Sequence, residues 1–286
     1  MIYYVIIPAY NEAGFLEKTL ESLIAQTLAP KKVVIVNDNS TDHTEAIIDQ
    51  YCESHPNFIK HNIISKATHL PGSKVVNAFN NGLSLLNDDY DFIVKLDADL
   101  ILPVNYFEKI SSHFLKNTTI GIAGGFAYEK NEKGEWLLNH PMNKEHVRGA
   151  FKAYKKECFK KIGGLKKSIG WDTVDELLAN YHGFTTYTDA ELKVKHLRPT
   201  GKSYHKKARY LQGEAMYKMR YGFIICLLAS LKMMLSQKRI IVLWNNIFGF
   251  IKAWKQKQPY IVSVEEGKFI RSYRTKGIIQ KLNPFK

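Results

Sequence analysis

The 286-residue chain is 45% apolar and 12% aromatic, enough for one large packed domain, or one domain with a substantial appendage. Its three cysteines, Cys52, Cys158 and Cys226, are far apart and show no CxxC spacing, which excludes a disulfide framework or a cysteine zinc site and fits a reducing compartment. The net charge of +14 is lopsided: residues 1–197 carry 22 basic and 24 acidic side chains, whereas residues 198–286 carry 19 and 3, so the excess that would draw an anionic partner lies in the last third alone.

In chain order, Ile2–Pro8 is a continuous apolar run suited to a strand buried on both faces. No basic-then-apolar leader is expected before it. Phe15, Leu16, Leu20, Leu23 and Ile24 give helical spacing over Glu12–Gln26. Lys32–Val36 predicts a second buried strand that ends in the polar turn Asn37–Asp42. Thr44–Cys52 predicts a helix, Ile59–Ser65 a strand, Gly72–Leu86 a helix and Asp91–Leu96 a strand. Gly121–Tyr128 predicts another strand, Ala150–Gly164 contains a short helix ending at a Gly pair, Thr173–His182 predicts a helix, and Phe184–Tyr187 and Leu192–Leu197 predict two strands. This alternation predicts an α/β fold with a mostly parallel sheet and helices on both faces. Ligands of such sheets bind beyond the carboxyl ends of the strands. Asn11–Glu12, Asn37–Asp42 and Asp97–Asp99 all fall at such ends, so three polar clusters are expected to meet on one edge.

Asp97-Ala98-Asp99 places two carboxylates where the chain leaves a strand. Oxygen ligands of this kind suit Mn²⁺ or Mg²⁺, with water and substrate phosphates completing the shell. A solvated turn is the plain alternative. In Asn37–Asp42, one of Ser40, Thr41 and Asp42 is expected to cap the next helix. An acid in the same turn suits a base N–H or a ribose hydroxyl.

Four segments, Ile7–Glu12, Val36–Asp42, Lys95–Asp99 and Phe159–Gly164, occur in an order that resembles the family 2 glycosyltransferases, over roughly residues 1–200. The resemblance implies a GT-A fold, inversion at the sugar, a nucleotide-diphosphate-sugar donor and a glycan or lipid-linked acceptor. It implies that Pro8, Tyr10, Glu12 and Asp38 hold the nucleoside, that Lys74 is a basic donor-side residue, and that Asp97, Ala98 and Asp99 form the metal–diphosphate segment. In the turn after the second strand the family has Asp-Asp-Gly-Ser where this chain has Asn37-Asp38-Asn39-Ser40. Asn tolerates the left-handed conformation that Gly supplies.

Where the family has Glu-Asp before a helix, this chain has Trp171-Asp172. Asp172 aligns with the catalytic Asp and is the expected general base, which takes the acceptor hydroxyl's proton. Helix capping is its alternative role, and Asp175 is the rival base. Trp171 suits stacking on a sugar or a place in the core. His196 in Lys195–Pro199 matches a position that completes the metal shell in related enzymes, and neutral imidazole suits Mn²⁺ beside carboxylates. Arg198 suits the diphosphate. A catalytically silent module that binds a sugar nucleotide or a glycan is the competing function. It would need no candidate base.

The chain is expected to divide into a catalytic domain, 1–205, and a basic, partly amphipathic helical extension, 206–286. Tyr221–Leu231 and Ile240–Ile251 are apolar but shorter than the roughly 18–20 residues that span a bilayer. Trp244, Phe248, Phe250 and Trp254 beside Lys252, Lys255 and Lys257 suit a membrane interface. Phe248 and Phe250 fall on different helical faces, so part of this surface must pack on protein. A solvated appendage and a homodimer contact are the other readings. No nucleic-acid-binding module is recognisable. The expected location is cytoplasmic, on the inner face of a membrane.

Overall fold

The computed structural model describes residues 1–65, 72–139, 146–198 and 209–282. One mixed sheet organises them, with strand order β3-β2-β1-β4-β8-β6-β9-β5 and β7 paired to β6. The strands are β1 (Tyr3–Ala9), β2 (Lys32–Asp38), β3 (Phe58–Ile63), β4 (Phe92–Leu96), β5 (Leu100–Ile101), β6 (Ile120–Lys130), β7 (Trp136–Leu138), β8 (Phe151–Lys155) and β9 (Thr185–His196). The half β3-β2-β1-β4 is parallel, and β8 enters antiparallel to β4, with Val94 opposite Ala153. The apolar run of β1 and its neighbour β4 lie in the interior of the sheet. Val5, Ile6, Ile7, Ile93 and Val94 are fully buried there, as strands covered on both faces require.

The helices packed on this sheet are α1 (Leu16–Ile24), α2 (Thr44–Ser54), α3 (Ser73–Leu83), α4 (Tyr106–Lys116), α5 (Lys156–Lys161) and α6 (Trp171–Tyr181). In α1, Leu16, Leu20 and Leu23 recur at spacings of four and three and are fully buried. Each such side chain contributes about 1.5–3 kcal/mol. The helix begins later than Glu12 because Asn11 is left-handed (φ 53°) and Glu12 starts a turn whose carbonyl accepts from the N–H groups of Phe15 and Leu16.

Three residues, Asp97-Ala98-Asp99, join β4 to β5, yet three strands lie between these two in the sheet. A flat sheet would separate them by four spacings, roughly 19 Å. Leu96 to Leu100 spans at most about 14 Å. The sheet must therefore curl, and the motif closes the curl. Gly125 in β6 permits this: a Cβ there would sit 2.2 Å from the Leu192 carbonyl oxygen, beside the register shift between Gly124 and Phe126.

One expectation is extended and one corrected. The segment Ala150–Gly164 does contain the short helix, α5, ahead of the Gly pair. It opens with β8, whose alternation is masked because both its faces are buried. Phe184–Tyr187 and Leu192–Leu197 are parts of one strand, β9, that shifts register against β6. The expected domain boundary at 205/206 lies outside the described residues. Beyond it come α7 (Leu211–Lys218), α8 (Phe223–Gln237), α9 (Ile240–Lys255) and α10 (Val264–Leu282). No helix among the described residues is long and apolar enough to cross a membrane.

Candidate active site at the carboxyl ends of the strands

The three polar clusters do meet. The Asn11 N–H donates to Ser40 Oγ (3.0 Å) and Asn11 Oδ1 accepts from the Thr41 N–H (2.8 Å). The Glu12 N–H donates to Thr44 Oγ1 (2.7 Å), whose own N–H donates to Asp42 Oδ1 (3.0 Å). Asp42 is thus the residue of its turn that satisfies the start of α2. Asn39 is left-handed (φ 55°), in the place where the related turn carries Gly. Asp38 is half-buried and accepts from the Ser65 N–H (2.8 Å). Pro8 lies on β1 and Tyr10 is exposed at its end. Lys74, in the first turn of α3, makes no ion pair among the described residues.

The β4–β5 connection is held from below by Thr19 of α1. Its hydroxyl donates to the Ala98 carbonyl (2.8 Å) and accepts from the Leu100 N–H (2.9 Å). The end of β9 is tied to the same segment by Leu197 N–H to Asp99 O (2.9 Å). Asp99 therefore faces His196 Nε2 at 3.3 Å and Arg198 Nε at 3.2 Å, and Arg198 also pairs with Glu12. Burial opposes ionisation of Asp99. The His196 hydrogen bond and the charges of His196, Arg198 and Lys95 outweigh it and hold this carboxyl below its ordinary range. Burial pushes Glu12 up to about 7, against Arg198 and with the help of Asp99 and Asp97. Asp97 pairs with the buried ammonium of Lys95.

Lys95 links this cluster to α6. Its Nζ lies 5.4 Å from the ring centre of Trp171, which is itself buried. Asp172 follows in the first turn of α6, half-buried, and its carboxylate has no hydrogen bond among the described residues. Its backbone carbonyl accepts from Lys152. Arg148 lies within the electrostatic reach of both Asp172 and Glu129, and Glu129 is 3.8 Å from His196 Nδ1. Asp175 is brought elsewhere. It is 1% exposed and is bound by Lys152 (3.0 and 3.1 Å) and the Tyr154 hydroxyl (2.5 Å). Glu176 binds Lys152 (2.9 Å), His146 (2.8 Å) and the Val147 N–H (2.9 Å). Burial would discharge Lys152; Asp175, Glu176 and Asp172 reverse this and raise its pKa above the ordinary lysine value.

A divalent cation fits the donor chemistry in part. No group of three or more His, Cys, Asp and Glu side chains among the described residues is arranged to hold one. Asp99 and His196 do converge, and the buried His196 Nδ1 has no hydrogen-bond partner among the described residues. One or two protein ligands suffice when substrate phosphates and water supply the rest.

Residues 4–169, more than half of the chain, match the family described as Glycosyl transferase family 2. The chain belongs to this family. An uncharacterized glycosyltransferase, the MG025 homolog of Mycoplasma pneumoniae, is 32% identical over 115 residues, covering 40% of this chain and 36% of that protein. The chondroitin synthase of Pasteurella multocida is 30% identical over 133 residues, covering 46% of this chain and 13% of the synthase. The chain thus spans about a third or less of the length of these relatives. The crystal structure of GalNAc-T7 with UDP, GalNAc and Mn²⁺ superposes with a TM-score of 0.67 at 15% identity, over 100% of this chain and 58% of that one. The fold is the GT-A fold of glycosyltransferases, carrying the C-terminal helices in addition.

Within this family 2 framework, no role is read from sequence for Lys95, Lys152, Glu176, Arg148 or Glu129. Two of these carry a signal all the same. A lysine inside an otherwise apolar strand, as in Phe-Ile-Val-Lys-Leu or Phe-Lys-Ala-Tyr, must find a buried acid.

Proposed function

We propose that this chain is a metal-dependent inverting glycosyltransferase that moves a sugar from a nucleotide-diphosphate donor to a hydroxyl of a glycan or lipid-linked acceptor. One observation carries the reading. The Asp172 carboxylate, free of hydrogen bonds among the described residues, stands next to Trp171, whose ring meets Lys95, and Lys95 holds Asp97 of the donor-side cluster. A silent binding module would need no such carboxylate.

In this reading the nucleoside lies over Pro8, Tyr10, Glu12 and Asp38, with Lys74 on the donor side. Asp99 and His196 would hold Mn²⁺ or Mg²⁺, and Asp97 could join them only by giving up its pairing with Lys95. When bound, that ion supplies positive charge to the departing diphosphate. Arg198 is half-exposed and adds guanidinium donors to the same oxygens. Asp172 accepts the proton of the acceptor hydroxyl as its oxygen forms the new bond to the anomeric carbon and the bond to the diphosphate oxygen breaks. Asp175 is already saturated by Lys152 and Tyr154, which favours Asp172 as the base. The UDP and Mn²⁺ bound to GalNAc-T7 support a donor and an ion of these classes. The named product class of the Pasteurella relative supports a glycan acceptor.

The test is a panel of sugar nucleotides with Mn²⁺ or Mg²⁺, read as donor hydrolysis and as a shift in melting temperature. A metal-dependent response to at least one donor is expected. If no donor gives either signal, or if Asp99→Ala and Asp172→Asn both transfer sugar at the wild-type rate, the proposal fails.

A further inference from the structure

Helices α8 and α9 form an antiparallel pair held to the body by one side only. Ile225, Cys226 and Ser230 of α8 face inward, as do Asn246, Gly249, Phe250 and Ala253 of α9. The attachment is close. A Cβ at Gly213 of α7 would lie 1.8 Å from the Asn246 carbonyl oxygen, and one at Gly249 would lie 2.0 Å from that of Tyr210. Helices α7 and α9 thus cross backbone to backbone. Helix α7 packs in turn on the start of α6, where Ala215 and Met219 lie within van der Waals reach of Gly170.

Apart from Tyr210, whose ring meets Phe248, nothing among the described residues covers the opposite side of the pair. On α8, Ile224, Leu228, Leu231 and Leu235 recur at spacings of four, three and four, which is one helical stripe. On α9, Ile240, Trp244, Phe248 and Ile251 do the same. Ile224, Leu235, Ile240 and Trp244 are 73%, 70%, 67% and 62% exposed, and Trp254 is as open as Trp244. Phe248 is on this stripe while Phe250 is buried, the split that their spacing requires. An apolar surface built from so many large side chains exceeds what a monomer leaves to water without a partner.

Charge decides which partner. Residues 221–264 contain six basic side chains, Lys232, Lys238, Arg239, Lys252, Lys255 and Lys257, and no acidic one. Lys238 and Arg239 sit at the turn between the two helices, and Lys252, Lys255 and Lys257 at the far end of α9. All five are exposed. A second copy docked through this face would set these cations against their own kind with no acid to answer them. An anionic lipid surface answers all of them, and it accepts the exposed indoles at its headgroup level. Neither helix is long enough to cross a bilayer, so the pair would lie in the plane of the interface.

We propose that the outer face of α8 and α9 docks the protein on an anionic bilayer, with the helix pair lying flat at the headgroup boundary. Through α7 this fixes the orientation of α6, and so of Asp172, relative to the membrane.

The test is flotation of the full chain with vesicles of equal parts phosphatidylcholine and phosphatidylglycerol, and with phosphatidylcholine alone, at low and high salt. Binding to the anionic vesicles at low salt is expected, weaker at high salt and weaker still on the neutral vesicles. The double substitution Trp244→Ser with Phe248→Ser should lower partition at least about tenfold. Lys252→Gln, Lys255→Gln and Lys257→Gln should lower it by about fivefold for each side chain that reaches lipid. All these positions are exposed, so melting temperature and donor hydrolysis should stay at wild-type values. A failed donor panel would leave the flotation result untouched. Absence of binding to anionic vesicles at low salt overturns the proposal. So does a dimer in sedimentation that Trp244→Ser with Phe248→Ser disperses while vesicle binding is unchanged.

Discussion

Two clusters of charge flank the start of α6, and they are built from similar residues. One is Glu12, Asp97, Asp99, His196 and Arg198 at the strand ends. The other is Lys152, Asp175, Glu176 and Tyr154 beneath the helix. They differ in what their groups are free to do. In the first, Arg198 is 46% exposed and Asp97 33%, and His196 Nδ1 has no hydrogen-bond partner among the described residues. In the second, Lys152 and Asp175 are sealed at 0% and 1%, and each carboxylate accepts from two or more groups. An open cluster exchanges its internal partners for those of a ligand at little cost. A sealed and satisfied one is locked into the fold. Composition alone does not distinguish a site from a strut; access does.

The sharpest way to break this contrast is to remove an acid from the open cluster. Asp99→Ala should lower the rate of sugar transfer by about 10³-fold or more. Its melting temperature should move less than that of Lys152→Met, because Arg198, the cation it leaves behind, is 46% exposed and keeps Glu12 as a partner. A rate within tenfold of wild type in single-turnover assays would place the metal–diphosphate site elsewhere. Asp172→Asn follows, with a loss of roughly 10²–10⁴ in kcat and little change in donor affinity by calorimetry. A loss confined to donor affinity would move Asp172 out of the role of base.

The open cluster is legible in the sequence because its parts are local. Each polar turn directly follows an apolar strand, so Asn11–Glu12, Asn37–Asp42 and Asp97–Asp99 can be assigned to one edge before any pairing is known. His196 is placed from sequence only through the family resemblance, and Arg198 only by its chemistry. Their arrival at Asp99 depends on β5, a two-residue strand that has no pattern of its own and exists because β9 pairs with it. The sealed cluster is not legible as a cluster. Lys152 meets Asp175 and Glu176 only after β8 takes its register beside β4 and α6 lies across it. Sequence can say that a lysine in an apolar strand needs an acid, but not which one. Asp175 therefore stays a rival base until its bonds are known.

The sealed cluster should fail in the opposite way. Lys152→Met strands Asp175 and Glu176 without their cation and should cost about 3–5 kcal/mol of stability, measured by denaturant unfolding. If Lys152 were instead part of the chemistry, the variant would unfold at the wild-type midpoint and lose only turnover. Because Lys152 also holds the Asp172 carbonyl, the folded fraction of Lys152→Met should show a lower kcat with its donor affinity unchanged.

The smallest effect concerns pH and the open cluster alone. Glu12 is raised to about 7, chiefly by burial. An acid whose folded pKa exceeds its unfolded value binds more protons when folded. Its contribution is complete below the unfolded pKa and is lost as pH rises through the folded one. Without nucleotide or metal, the protein should therefore lose about 1–3 kcal/mol between the ordinary glutamate range and neutrality from this group. Glu12→Gln should remove that part of the slope, read as the difference in unfolding free energy between variant and wild type below and above the window. A difference that does not change with pH would mean that Arg198 already holds Glu12 ionised throughout. Glu12 would then be bound to Arg198 as firmly as Asp175 and Glu176 are to Lys152, and the contrast between the two clusters would rest on Asp97, Asp99 and His196 alone.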